Sequence, residues 1–390
     1  GIAEWLRGHL FTGFPWNGPS QIWADTPPIM QLARLFGAYG LSFLTIAVAG
    51  CFALLADRSR SAYFSLASAA LLVGAALTDG AIRLSSVSTT NGPLLRVHLV
   101  QADIRQQIKH DPAVQSAMLE RYEQMTTMAI KSRGPALVVW PETAISYDVA
   151  GSPDLRSRLG RLVAPGGNLV LGAVRPMVAD GVVVAAHNSL LVLDDAGTIT
   201  STYDKTHLVP FGEYLPFKSF LQTLGLERLV PGSAVFLGGK GVATLRAPGL
   251  PSFSPLICYE AIFSGNVTDQ RDRPAWILNI SNDAWFGVSN GPSQHLAQAQ
   301  LRAVEEGLSV ARVTPTGITA IIDPYGRVSS RLELGEQAVL TGEIAPALEP
   351  TFFAKFGDWP FAVMNAGAFL LGFAWRRARA QHRLIMPQHD

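Results

Sequence analysis

Charge and cysteine are what this 390-residue chain has least of. Only 16% of its residues are charged, and its 31 Lys and Arg stand against 30 Asp and Glu. That balance supplies no global basic field to hold nucleic acid or an anionic membrane surface, so no nucleic-acid partner is expected. The two cysteines are Cys51, in an apolar run, and Cys258, in Pro255-Leu256-Ile257-Cys258-Tyr259-Glu260. They are too few for a disulfide framework and too unlike in surroundings to pair. No His/Cys cluster at zinc spacing and no phosphate-cradling glycine loop appears, and Pro165-Gly166-Gly167 reads as a turn. Neither a metal nor a cofactor is expected. The charged and apolar regions of a signal peptide are missing too: Gly1 leads directly into Glu4-Trp5-Leu6-Arg7, and the expectation is that sequence lies upstream.

Apolar residues are plentiful: 48% of the chain is hydrophobic and its mean hydropathy is positive, too apolar for a wholly soluble protein. Phe36 to Ala56 is uncharged over roughly the 20 residues a helix needs to cross a bilayer core. Gly37, Gly40 and Gly50 within it suit close helix packing. A polar link, Asp57-Arg58-Ser59-Arg60-Ser61, joins it to a second uncharged run, Ala62 to Thr78, and the pair predicts a helical hairpin. A third run, Pro360 to Trp375, is borderline in length and ends in Arg376-Arg377-Ala378-Arg379, with Arg383 beyond. By the positive-inside rule the Arg58/Arg60 loop and the C-terminal arginines face the cytoplasm. The expected organisation is a membrane region over 1–90, an extracytoplasmic catalytic domain over 91–348, and a C-terminal span with a basic tail over 349–390. The competing reading makes these runs buried helices of a soluble core.

Between the spans, short β-branched and aliphatic runs alternate with helical or turn-rich stretches, which predicts an α/β domain. The expected strands are Leu95 to Val100, Ala136 to Trp140, Asn168 to Val174, Ser189 to Leu193, Ser254 to Ile257, Ala275 to Ile280 and Ile318 to Ile322. Asp111 to Arg133 has helical spacing, with Met118, Leu119, Tyr122, Met125 and Ala129 on one side. Its methionines read as core filling. Ser293 to Val313 is expected to be a second helix. Pro210 to Gly239 is rich in aromatic residues without a regular period, and reads either as a packed excursion or as an apolar lid.

In three places a polar residue follows a strand-like run: Glu142 after Val138-Val139-Trp140-Pro141, Lys205 after Tyr203-Asp204, and Cys258 after Leu256-Ile257. Strand ends are where α/β folds build sites. A thiol with a pKa near about 8.5 is mostly protonated at neutral pH and gains from a base and a nearby cation. Glu142 suits the base, and Lys205 suits stabilisation of thiolate and oxyanion, with the Tyr259 N–H as a further donor. Singly each signal is weak, since an isolated Lys or Glu is mostly a solvated surface residue and an isolated Cys a small buried hydrophobe.

Longer blocks accompany the three: Thr12-Gly13-Phe14-Pro15-Trp16, Gln101-Ala102-Asp103-Ile104, Trp140-Pro141-Glu142-Thr143-Ala144, and Lys205 to Tyr214 (KTHLVPFGEY). Ile257-Cys258-Tyr259-Glu260 and Asn279 to Gly287 (NISNDAWFG) complete the set. Over nearly its whole length the chain resembles the nitrilase, or carbon-nitrogen hydrolase, superfamily, and within it the apolipoprotein N-acyltransferases of bacterial inner membranes. The resemblance implies an α-β-β-α sandwich attached to transmembrane helices, with Glu142, Lys205 and Cys258 as catalytic triad and Glu213, Tyr259 and Glu260 as supporting residues. With its mouth anchored at the membrane interface, such a domain is expected to receive lipid at Trp285, Phe286 and the Pro210 to Gly239 excursion. His110 and Pro315 depart from the family pattern, which commonly has tryptophan and asparagine there. Several membrane helices precede the Thr12 block in the family, so an N-terminally truncated form is expected.

The activity this implies is ping-pong transfer of an acyl chain from a phospholipid, through a Cys258 thioester, to the α-amine of a diacylglyceryl-cysteine apolipoprotein. The bilayer is then the third partner. Two rivals are a nitrilase-like amidase acting on small amides and an inactive membrane-bound fragment.

Overall fold

The computed structural model describes residues 1–57, 59–85, 95–106, 111–130, 136–217, 223 and 235–385. Arg58, His110, and Phe220, Leu221, Leu224 and Leu226 of the expected excursion lie outside the described residues.

Among the described residues eleven strands form two sheets. The first contains β1 (Leu95–Gln101), β2 (Leu137–Val139), β3 (Asn168–Ala179), β4 (Val182–Asp194), β5 (Ile199–Asp204) and β11 (Ala338–Ile344), in the order β11-β1-β2-β3-β4-β5. The second contains β6 (Phe253–Ile257), β7 (Trp276–Ile280), β8 (Val310–Val313), β9 (Thr319–Ile322) and β10 (Val328–Leu332), in the order β10-β9-β8-β7-β6. Side chains alternate across each strand, so one face of each sheet meets the other sheet. Val97, Leu99, Val139, Val170 and Val192 pack there on Ile257, Leu278, Ile280 and Val313. The opposite face of the first sheet buries Val138, Leu169 and Leu171 under Met118, Leu119, Tyr122 and Met125 of the Pro112–Ile130 helix. Leu296, Ala299 and Ala303 of the Gly291–Glu306 helix cover Ile277 and Ala320 on the second. The layers are therefore α-β-β-α, the architecture the resemblance implies.

One expectation fails. The helix anticipated over Ser293 to Val313 stops at Glu306, and Val310–Val313 is a strand parallel to β7. Gly307 explains the break: it takes φ +67°, a left-handed conformation that ends helices, and its N–H caps Ala303. Four strands had no counterpart in the expected set: β5, β8, β10 and β11.

The helices Ala33–Ala56 and Arg60–Ser85 are long and apolar enough to cross a membrane, and only 22% and 17% of their most apolar windows are buried. They run antiparallel, with Arg34 near the start of one bonded at 2.9 Å to Asp79 near the end of the other. The C-terminal helix, Trp359–Ile385, has a shorter apolar part, Trp359–Ala374. At Gly37 (φ +65°, ψ −178°) the first long helix breaks. The freed Ala38 N–H donates to Glu305 Oε1 at 2.6 Å, joining that helix to the sandwich.

Candidate active site

β2, β5 and β6 deliver Glu142, Lys205 and Cys258 at their C-terminal ends. Glu142 is reached through Trp140-Pro141, and the loop is held where Ala144 N–H donates to Gly172 O at 3.0 Å. Gly172 of β3 makes this approach possible: a Cβ there would lie 2.5 Å from Glu142 Cα and 2.6 Å from Thr143 N. Lys205 directly follows β5, and its backbone N–H donates to Asn188 O at 2.8 Å.

The Lys205 ammonium is 1% exposed and lies 3.3 Å from Glu142 Oε1 and 2.9 Å from Glu213 Oε1. Asn188 Nδ2 donates to the same two carboxylate oxygens, at 2.7 and 2.9 Å. Glu213 Oε2 accepts the Val209 N–H at 2.8 Å, which ties the loop after Lys205 to the cluster. Burial works against the charge on Lys205, but Glu142 and then Glu213 outweigh it and hold the amine above the ordinary lysine range. It is a fixed cation between two carboxylates.

Cys258 opens a short 3-10 turn, Cys258–Ile262, with φ +51°. That left-handed conformation is strained for a residue with a side chain and is typical of functional turns. Burial first, and then the Glu142 charge, push the thiol up to about 12, while Lys205 and a hydrogen bond with Ser281 pull it down. That balance favours the protonated thiol near neutral pH. Lys205 and Cys258 each favour the charged form of the other, so thiol, amine and carboxylate form one electrostatic unit.

Glu260 is buried two residues on and braces the turn. Its Oε2 accepts Ile257 N–H at 2.7 Å, and its Oε1 accepts Tyr203 O–H, Thr206 N–H and His207 N–H at 2.8, 2.6 and 3.1 Å. One carboxylate thereby ties the Cys258 turn to the Lys205 loop. Tyr259 packs its ring beside Phe14, His207 and Phe263, and its hydroxyl donates to Gly13 O at 2.8 Å. Its side chain therefore fastens the Thr12 block to the Cys258 turn. Trp285 is 52% exposed, whereas Phe286 packs 5.2 Å from the Trp16 ring. Phe211 and Phe217 are also exposed, and Phe217 meets Phe11 edge-on at 6.3 Å.

The residues that sequence reasoning did not single out are Asn188, Ser281, His295 and Arg312. For Asn188 and Arg312 the signal is a polar residue set inside an apolar run, Val182–Asp194 for the first and Val310–Val313 for the second. Among the described residues no group of three His, Cys, Asp or Glu side chains is placed to hold a metal ion.

Residues 96–350 match the carbon-nitrogen hydrolase family, and residues 1–51 match the N-terminal domain of apolipoprotein N-acyltransferase. The chain is 40% identical to an apolipoprotein N-acyltransferase of Bradyrhizobium diazoefficiens, an alignment covering 97% of this chain and 72% of that one. It is 36% identical to one from Rhodopseudomonas palustris (95% and 71% covered) and 39% identical to one from Brucella melitensis (92% and 68% covered). Among solved structures it is similar to a CN-hydrolase superfamily protein of Xanthomonas campestris, with TM-score 0.47 and 20% identity over 65% of this chain and 91% of that one.

Proposed function

Because this chain belongs to the apolipoprotein N-acyltransferase family and carries its carbon-nitrogen hydrolase domain, we propose that it moves an acyl chain from a phospholipid to the α-amine of a diacylglyceryl-cysteine apolipoprotein. The observation that carries the chemistry is the buried Glu142–Lys205–Glu213 cluster beside a nucleophile held at φ +51°.

In the first half-reaction Glu142 takes the Cys258 proton as sulfur attacks the ester carbonyl. Negative charge builds on the carbonyl oxygen, where the fixed Lys205 ammonium and a backbone N–H of the turn stabilise it. The ester C–O bond breaks, and Glu142 returns the proton to the departing lysophospholipid oxygen, leaving a Cys258 thioester. In the second half-reaction the acceptor amine attacks the thioester and gives a proton to Glu142. The C–S bond breaks and the proton passes to sulfur. Glu213 keeps Lys205 charged and oriented, and Glu260 keeps the nucleophile turn in register with it.

Two membrane-length helices suit this reaction, because both substrates keep their acyl chains in a bilayer. In our reading residues 1–90 and 349–390 anchor the protein in the bacterial inner membrane, and 91–348 form the catalytic domain on the periplasmic side, with Trp285 and Phe286 at the lipid entrance. The small-amide hydrolase reading is not favoured: the relatives are acyltransferases, and a soluble amidase has no use for the spans.

The test is incubation with a phospholipid labelled in its acyl chain together with a diacylated lipopeptide bearing a free N-terminal amine. Label on the lipopeptide, with lysophospholipid in equal amount, is the expected result. Release of ammonia from small amides without any lipopeptide acylation would overturn the reading.

A further inference from the structure

We infer that His295 is a positioning residue for the nucleophile, its Nε2–H holding the backbone carbonyl of Cys258 so that the strained turn presents sulfur to the Glu142–Lys205 pair. This deepens the reading of Cys258 as the nucleophile and rests on it.

His295 lies on the buried face of the Gly291–Glu306 helix and is 0% exposed. Its Nε2 is 3.2 Å from Cys258 O, a group that can only accept. The proton must therefore be on Nε2. Nδ1 is 3.0 Å from Asp283 Oδ1 and 3.0 Å from Arg312 Nη2. When the ring is neutral, Nδ1 accepts from Arg312; when it is charged, Nδ1–H donates to Asp283. Both states leave the Nε2–H aimed at Cys258 O. Burial and the Arg312 charge favour the neutral ring.

The network behind the ring is fully buried. Asp283 is fully buried, accepts from Arg312 Nη2 at 2.5 Å and from Ser281 Oγ at 2.8 Å, and Arg312 also donates to Asn279 Oδ1. Asp283 thereby fixes two side chains at once, Ser281 through its hydroxyl and His295 through its ring, and the ring carries that order to the Cys258 carbonyl. A Cβ at Gly317 would come 2.5 Å from Asp283 Cβ, so the chain closes tightly over this carboxylate. The outer face of the ring is covered by Trp16, whose centroid is 5.3 Å away and whose Nε1–H donates to Gln294 Oε1 at 2.7 Å. The Thr12–Trp16 block thus reaches the nucleophile through His295.

Shape separates positioning from space filling. The amide nitrogen of a glutamine overlays histidine Nε2, and that of an asparagine overlays Nδ1. His295→Gln keeps a donor at Cys258 O, whereas His295→Asn and His295→Ala do not. Three rates are measured for each variant: thioester formation from labelled phospholipid, alkylation of Cys258 by iodoacetamide, and thermal unfolding. An ångström of misplacement costs about 100-fold in rate. Asn and Ala are expected to lose roughly 10- to 100-fold in both thioester formation and alkylation, and Gln to retain at least about a tenth of wild-type. Equal impairment of Gln and Asn, or losses that merely follow thermal stability, would overturn the inference. Alkylation needs no lipid, so a wild-type protein that alkylates at Cys258 yet forms no thioester indicts the proposed reaction and leaves the positioning test readable.

Discussion

Replacing Lys205 by Met keeps the volume of a side chain that is 1% exposed and removes its charge. Three losses then act together. A donor to the developing oxyanion disappears, worth roughly 3 to 4 kcal/mol, or about 100- to 1,000-fold in rate. The carboxylates of Glu142 and Glu213, both still bonded to Asn188 Nδ2, are left side by side without their shared cation. Like charges so placed drive one of the pair to bind a proton, and a protonated Glu142 cannot accept one from sulfur. The cation that pulls the Cys258 thiol down is also gone. The expected outcome near neutral pH is a fall of about 1,000-fold or more in single-turnover acylation by labelled phospholipid, with residual activity rising toward alkaline pH as the shared proton leaves. Stranding a buried charge costs about 3 to 5 kcal/mol, and the shared proton keeps the stability loss of Lys205→Met below that ceiling. A variant that acylates within about tenfold of wild-type, or whose pH profile matches wild-type, would refute the assignment of Lys205.

The free thiol follows the same logic: pushed up to about 12, it carries little thiolate at neutral pH, so Cys258 alkylation in the absence of lipid should keep rising with pH instead of levelling near the ordinary value of about 8.5. A plateau below pH 9, read from iodoacetamide rates, would contradict this. Gly172→Ala places a methyl 2.5 Å from Glu142 Cα and 2.7 Å from Pro141 O, both backbone, so the Glu142 loop must shift. Acylation should fall by about 100-fold with the fold retained, and unchanged turnover would show that the loop yields freely. Glu260→Gln confronts either Ile257 N–H or the Tyr203, Thr206 and His207 donors with an amide NH2. A stability loss of about 2 to 3 kcal/mol, seen as a lower thermal midpoint, is expected, and a midpoint equal to wild-type would dismiss the brace.

Much of the fold was legible because buried strands carry short, dense aliphatic runs: the expected Leu95 to Val100 and Ser254 to Ile257 differ from β1 and β6 by one residue. Edge strands were harder. β10, Val-Ser-Ser-Arg-Leu, alternates half-buried and exposed positions before a buried Leu332 and reads as polar surface. The β3–β4 hairpin extends past its expected ends because Asp180 and Gly181 turn the chain at positive φ, while Val182, Val183 and Val184 are all exposed and show no period. Gly307 carried the helix-stop signal within Ser293 to Val313, and the apolar residues on both sides masked it.

The site divides in the same way. Glu142, Lys205 and Cys258 stand out because each follows a strand and sits in a long recognisable block. Glu213, Tyr259 and Glu260 came only with the resemblance, and their contacts depend on loops that meet in three dimensions. Asn188, Ser281, His295 and Arg312 act through side-chain hydrogen bonds to partners up to 46 residues away in the chain, as in the Asn188–Glu142 bond. No local pattern encodes such a meeting.

The account's central claim is that Cys258 carries the acyl chain between two substrates. The most direct measurement is the intact mass of the protein after a pulse of phospholipid without acceptor, with peptide mapping, followed by a chase with the lipopeptide amine. The account predicts one acyl adduct on Cys258, absent in Cys258→Ala, that disappears as the lipopeptide gains the same mass. Transfer to the lipopeptide with no adduct on Cys258, or an adduct that the amine does not discharge, would contradict it.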